Sequence, residues 1–499
     1  MRRPPERTPG KLCDFVVSFF GLLYADVHEN RTLGRERTKT AARKERKMPR
    51  ERTTTLSQPV FDEARVTADP TKFKIFHDPV RDNQLFKEFG DLMLKDVVPF
   101  EKMRGAPGDL FTLQSAFGSK GAAVDAEIRQ AGQLTFHAGG DTGASTDTKG
   151  KYRDEITVAD QMSNDCHTSA PATRPRFFYH LGDVVYNFGE SQFWFDQFYE
   201  PFRNYPGPIF AIPGNHDSFV VPGVTSPNTP LETFMRNFCA QQPMLTAEAA
   251  SLHRTAMTQP GVYFTLDAPF VRVIGLFSNA LEDPGVISST SPLGAAVPDF
   301  QLEYLQAQLA RIKSEKYQGA VLLTVHHPPF SFSTKDHGAG ASGNHGSSIE
   351  MLGEIDTICK QEGVYPHAVL SGHAHNYQRY TRSIHVGAND YEVPFVVCGD
   401  SGHNVNPIVR SFGGHAVAEP SFDTDVSYLD EHPVFDGPAT RRLVLKKYAD
   451  SKTSYGYLRI TMDTRVLRIG FHLVGVTSPA QSRFDQVTVD LKTHRLVSN

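Results

Sequence analysis

Five short polar blocks bring together side chains able to hold metal ions. They read Gly140-Asp141-Thr142-Gly143, Gly182-Asp183-Val184-Val185-Tyr186, Gly214-Asn215-His216-Asp217, His326-His327-Pro328-Pro329 and Gly372-His373-Ala374-His375. Two aspartates, one asparagine, three histidines and one tyrosine from these blocks suit two hard or borderline cations without any thiolate. The glycines let the backbone turn tightly where such side chains must converge, and proline fixes the exit of the fourth block. One such residue alone reads as a cap, a turn or a satisfied core group, whereas five blocks in succession read as a site.

The elements that must position them are equally regular. Each block follows an apolar, β-prone run, at 134–138, 177–181, 209–212, 320–325 and 368–370; a sixth run at 271–277 lacks such a block. Helical spacing at 300–311 and 348–361 alternates with these runs, which predicts an α/β fold with chemistry at the strand ends. Beyond residue 391 the chain reads as strands, at 393–398, 443–447, 455–461 and 467–473. The aromatic stretch 190–202, with the only tryptophan, Trp194, reads as core packing, and the Gly/Ser/His stretch 338–348 as a mobile loop.

Composition bounds the function. The net charge is −4, yet residues 31–53 hold ten Lys/Arg against three Glu, so the rest of the chain is acidic, which argues against nucleic acid as a partner. Five scattered cysteines without CxxC spacing suggest neither a disulfide framework nor a cysteine metal site, and favour a reducing, cytoplasmic compartment. Nine of the twenty histidines fall between His326 and His403, which points to metal or acid–base work there.

Residues 1–59 read as a disordered basic segment, 60–130 as a mostly helical lead-in packed on the catalytic domain, with helical spacing at 83–94, and 131–499 as that domain. Residues 15–25 resemble the apolar part of a signal peptide, too short to span a bilayer; secretion or a periplasmic location is the alternative if residues 1–25 act as a signal, and Met48 is an alternative start. The basic tail also raises association with nucleic acid or an anionic membrane, against the simpler reading of a solvated tail.

GDxG, GDxxY, GNHD and GHxH, with a histidine ahead of x-Pro, resemble the purple acid phosphatase branch of the calcineurin-like metallophosphoesterase superfamily over about residues 134–380. The wider superfamily carries DxH at the first block; here position 143 is Gly, and Tyr186 stands where the branch supplies a phenolate. The resemblance implies a four-layer αββα sandwich of two mixed sheets flanked by helices, with the strands from Phe395 onward completing the second sheet. It implies a first metal, iron, held by Asp141, Asp183, Tyr186 and His375, and a second, zinc, manganese or iron, held by Asp183, Asn215, His326 and His373. The implied activity is hydrolysis of small-molecule phosphate monoesters by direct in-line attack of hydroxide shared between the metals.

In that scheme His216 acts as general acid or phosphate binder and Asp217 orients it, with His327, His337 and Arg379 as candidate substrate contacts, Arg379 reading as structural unless it lies near phosphate. A phosphodiesterase on the same core is the alternative enzyme, and a catalytically inactive metal-dependent binding module the alternative of another class.

Overall fold

The computed structural model describes residues 54–61, 100–143, 152–186, 188–218, 231–280, 284–289, 297–332, 345–408, 439–451, 453–476 and 482–497, with short pieces at 411–412, 415–416 and 423–425. The signal-like run, the basic tail, the helical spacing at 83–94 and most of the 338–348 loop lie outside the described residues. All described elements belong to residues 51–499.

The strands of the two large sheets, in chain order, are β1 (Phe111–Thr112), β2 (Leu134–Gly139), β3 (Pro175–His180), β4 (Ile209–Ala211), β5 (Phe264–Ala268) and β6 (Val271–Leu276). They continue with β7 (Ala320–Val325), β8 (Ala368–Ser371), β9 (Tyr377–Val386), β10 (Asn389–Cys398) and β11 (Thr424–Asp425). The last five are β12 (Ala439–Ala449), β13 (Gly456–Met462), β14 (Val466–Leu473), β15 (Arg483–Asp490) and β16 (Arg495–Leu496). Nine of them form one sheet in the order β11-β12-β9-β10-β8-β7-β6-β5-β1, and seven form the other in the order β16-β15-β14-β13-β2-β3-β4.

The local sequence explains the centre of each sheet. Ala320–Val325 is a run of six apolar or threonine residues, all buried, and β7 pairs in parallel with both β6 and β8. A strand covered on both faces needs an unbroken apolar run of this kind. In the other sheet β2, β3 and β4 are likewise parallel, so both sheets present carboxyl ends of central strands to polar loops.

The sheets meet through an aromatic and aliphatic core. Tyr179 on β3 accepts a hydrogen bond from Thr324 Oγ1 on β7 at 3.1 Å, and the rings of Phe111 and Phe210 meet edge to face 6.0 Å apart. Helices cover the outer faces: α1 (Gly121–Ala131), α2 (Tyr152–Thr168), the short α3 (Glu232–Phe238), α4 (Phe300–Ser314) and α5 (Ile349–Glu362). Both α1 and α5 stop at a left-handed glycine, Gly132 and Gly363, the usual solution for a helix end. The fold is thus an α/β sandwich of two mixed sheets flanked by helices.

Two details depart from the sequence reading. The strands after residue 391 do not all complete one sheet: β10 and β12 join the nine-stranded sheet while β13 to β16 build the other. The segment Tyr377–Val386, which carries only motif residues to the eye, is a ten-residue central strand whose arginines are neutralised by buried acids. Within the lead-in, Phe111–Thr112 is an edge strand paired with Leu266–Asp267, and Phe100 packs its ring on Tyr263 and Phe277. The stretch around Trp194 is core packing as expected, with Trp194 buried against Phe198 and Phe238.

Candidate metal centre

All five polar blocks lie immediately beyond the carboxyl ends of β2, β3, β4, β7 and β8, three from one sheet and two from the other. Three of the donor residues have left-handed backbones: Asp141 at φ 56°, Asp183 at φ 54° and His373 at φ 65°. Each follows a glycine, and each turn folds the chain back so that its side chain points into the same space. Close approach explains the glycines too. A Cβ on Gly182, at φ +102°, would lie 2.5 Å from His326 Nδ1, and one on Gly214 would overlap the Asp183 carboxylate.

Two buried groups of ligand atoms result, Asp141 with Asp183 and His375, and Asp183 with His326 and His373, each group within 4.8 Å. Asp183 belongs to both. Tyr186 lies against the first: its hydroxyl donates toward Asp141 Oδ1 at 3.0 Å and Asp183 Oδ2 at 2.9 Å, and lies 3.2 Å from His375 Nε2. Asn215 completes the second, with Oδ1 3.1 Å from His326 Nε2 and 3.1 Å from His373 Nδ1.

The donor chemistry fits metal ions. His326 donates Nδ1–H to Leu181 O at 2.8 Å, a bond that fixes the tautomer and turns an Nε2 lone pair toward Asn215 Oδ1 and, at 3.3 Å, Asp183 Oδ2. Acceptors facing acceptors call for a cation. Burial would lower the His326 imidazole, but the facing Asp183 charge raises it to about 9, so without a metal a proton holds the place at Nε2 that a metal ion would take. Burial pushes Asp183 up, yet His326 and His216 hold it well below the usual carboxylate range. Asp141 is raised by burial, with the charge of Asp183 adding to it. Burial and then the flanking carboxylates hold Tyr186 far toward the phenol, a preference that a cation at this corner reverses. The site therefore carries the Asp/His ligand groups of a dinuclear metal centre.

The remaining sequence candidates divide. His216 sits at the rim, 9% exposed, with Nε2 3.9 Å from Asp183 Oδ2 and its backbone N–H donating to Asp183 Oδ1 at 2.9 Å. Asp217 makes its hydrogen bonds elsewhere than expected: its carboxylate accepts from the backbone N–H groups of Val184, Val185 and Gly214 at 2.9–3.1 Å. It clamps the two neighbouring turns together, and burial with the nearby Asp183 charge raises it to about 7.

His327 is fully buried, bonded through Nδ1 to Ser278 Oγ at 2.7 Å, with its ring 4.2 Å from His373, so it supports that ligand from behind. Arg379 gives its guanidinium to Asp485 in a two-bond pair at 2.6 and 3.0 Å, the structural one of its two sequence readings. His337 lies outside the described residues.

Three residues at the site escaped the sequence reading. His345 packs its ring 4.7 Å from both His373 and His375 and is buried with a left-handed backbone at φ 69°. Asn406 places its side-chain amide 3.3 Å from His375 Nδ1, and His403 stacks on Tyr186. The only signal for the two histidines was their clustering, which gave no positions, and Asn406 had none.

Comparison with known proteins agrees with this geometry. Residues 136–377 match the family model for calcineurin-like phosphoesterases. That stretch, which holds all five polar blocks, is similar to the calcineurin-like phosphoesterases. Among solved structures it is similar to a purple acid phosphatase from seeds of yellow lupin (Lupinus luteus), at 16% identity and a TM-score of 0.44, over 73% of this chain and 54% of that one. It is also similar to PhoD, at 14% identity and a TM-score of 0.41, over 74% of this chain and 72% of that one. The alignment thus spans about half the length of the lupin enzyme. No curated protein matches the sequence. Among the described residues, no helix is long and apolar enough to cross a membrane.

Proposed function

We propose that this phosphoesterase hydrolyses phosphate monoesters in the manner of the purple acid phosphatases its motifs resemble. The observation that carries the reading is Asp183, whose carboxylate belongs to both donor groups. In this reading Asp141, Asp183, Tyr186 and His375 hold iron, and Asp183, Asn215, His326 and His373 hold zinc, manganese or iron. Bound there, the two ions would neutralise charge on the phosphate oxygens and lower the pKa of a water poised for in-line attack.

The chain's own groups then do the rest. His216, at the rim and in ring contact with Tyr186 at 4.1 Å, protonates the departing oxygen or binds the phosphate. His345 faces the same space from the histidine side, and its buried Nδ1 makes no hydrogen bond within the described protein, which leaves it for a substrate oxygen. Asp217 keeps the Asp183 and Asn215 turns in register and has no proton to move in this account.

The test compares 4-nitrophenyl phosphate with bis(4-nitrophenyl) phosphate on metal-loaded protein. Faster turnover of the monoester is expected, and a preference for the diester would transfer the reading to a phosphodiesterase. His216→Ala should cost roughly 10²- to 10⁴-fold in kcat, and unchanged turnover would remove its acid role.

A further inference from the structure

Tyr186 is held by two residues that no motif announces. Gln197 grips its peptide from both sides: Gln197 Nε2 donates to Tyr186 O at 2.8 Å, and Tyr186 N–H donates to Gln197 Oε1 at 2.8 Å. Gln197 is buried and sits on a single wide helical turn, Phe195–Tyr199, of a kind frequent at functional sites. The phenol ring itself lies flat against His403, with ring centres 3.6 Å apart and planes 12° from parallel. His403 in turn is anchored to the first metal loop, donating Nδ1–H to Gly143 O at 2.8 Å and its backbone N–H to Asp141 O at 2.9 Å.

These contacts control different things. A tyrosine oxygen lies on the axis about which the ring turns, so ring rotation does not move it, and its position is set by the backbone and the first torsion. Ring rotation instead sets the plane of the oxygen's lone pairs and π orbital. We infer that Gln197 and His403 are positioning residues for Tyr186, Gln197 fixing where the phenol oxygen stands and His403 fixing the plane in which it meets an iron ion. This rests on the reading of Tyr186 as a ligand. Such a stack is ready before a metal arrives, so the ligand needs no reorganisation on binding.

The experiment strips the full-length protein of metal, reloads it with iron, and measures iron affinity and the visible phenolate-to-iron absorption in His403→Ala, His403→Phe, Tyr186→Phe and the double variant His403→Ala/Tyr186→Phe. His403→Ala is expected to shift and weaken the band and to lower iron affinity about 3- to 10-fold, the range that aromatic stacking supplies. His403→Phe, which keeps a flat ring, should restore both. In the Tyr186→Phe background His403→Ala should add no further loss of affinity, because its effect passes through the phenol oxygen.

A wild-type band and affinity in His403→Ala, a His403→Phe as deficient as His403→Ala, or losses that add in the double variant would each overturn the proposal. If Tyr186→Phe keeps the wild-type band and affinity, the ligand reading falls first and this proposal with it. If His403→Ala does not fold, His403→Asn, which keeps a polar donor without the stack, makes the same comparison.

Discussion

At the scale of single residues, the centre depends on backbone conformations that most side chains avoid. Asp141, Asp183 and His373 all have positive φ, and the glycine before Asp183 leaves room for His326. Gly182→Ala adds a methyl 2.5 Å from His326 Nδ1 on a backbone at φ +102°, so the His326 bond to Leu181 O must break or the turn must open. The expected cost is about 1–3 kcal/mol of stability together with weaker metal binding. Denaturant melts and a zinc titration check it, and a variant matching wild type in both would contradict the packing argument. The Asp/His groups that could hold an ion were legible in the sequence because each lies beside a turn residue and an apolar run. His345, His403 and Asn406 could not, because they reach the site through spatial folding of later loops that carry no motif. Asp217 was misassigned for a related reason: a carboxylate one residue from His216 looks like its partner until the backbone N–H groups of the adjoining turn are seen to claim it.

At the scale of elements, β9 is the seam of the molecule. It lies in the nine-stranded sheet, yet Arg379 and Tyr377 both bond Asp485 on β15 of the other sheet, and Tyr377 stacks on Phe471 of β14 with ring centres 4.0 Å apart. Arg382 makes a second buried pair with Asp356 of α5, at 2.9 and 2.6 Å. Such pairs add little relative to an apolar core but are costly to break, because the remaining charge stays buried. Asp485→Ala should therefore destabilise the fold by about 3–5 kcal/mol and leave the turnover of the folded fraction unchanged. Loss of turnover without loss of stability in Arg379→Met would instead restore Arg379 to the substrate. This strand was hidden from sequence reading because Gln378, Arg379, Thr381 and Arg382 break the apolar pattern that marks buried strands, and only their partners on distant elements make them core residues. The strands with unbroken apolar runs, β3 and β7 above all, were legible for the opposite reason.

At the scale of the whole molecule, the C-terminal hairpin is tied to the nine-stranded sheet by two neutral histidines. His367 and His494 stack 4.4 Å apart, and His494 Nε2 donates to Pro366 O at 2.9 Å while His367 Nδ1 accepts from Val321 N–H at 3.0 Å. Burial lowers His367 to about 4 and His494 to about 3. Their unfolded values are about 6.5, so between about pH 6.5 and 4 the unfolded chain binds the extra protons and stability falls as the pH falls. Asp485, held below the usual range by Arg379 against the opposing effect of burial, keeps its contribution above about pH 4 and loses it below. A melting temperature that drops steadily from pH 6.5 to 4.5, and drops less in His367→Gln/His494→Asn, is expected; a flat profile in the wild type would contradict it.

The α/β class followed from the alternation of runs and helices and the two-sheet sandwich from the family resemblance, but the allotment of late strands to both sheets did not, since strand order depends on packing partners far away in the chain. All of these elements converge on one carboxylate, and metal content by mass spectrometry in wild type and Asp183→Asn is the most direct test. The account predicts about two metal ions per chain in the wild type, with both sites weakened together and turnover lower by more than about 100-fold in Asp183→Asn. A wild-type protein holding a single ion, or an Asp183→Asn protein that keeps two, would contradict it.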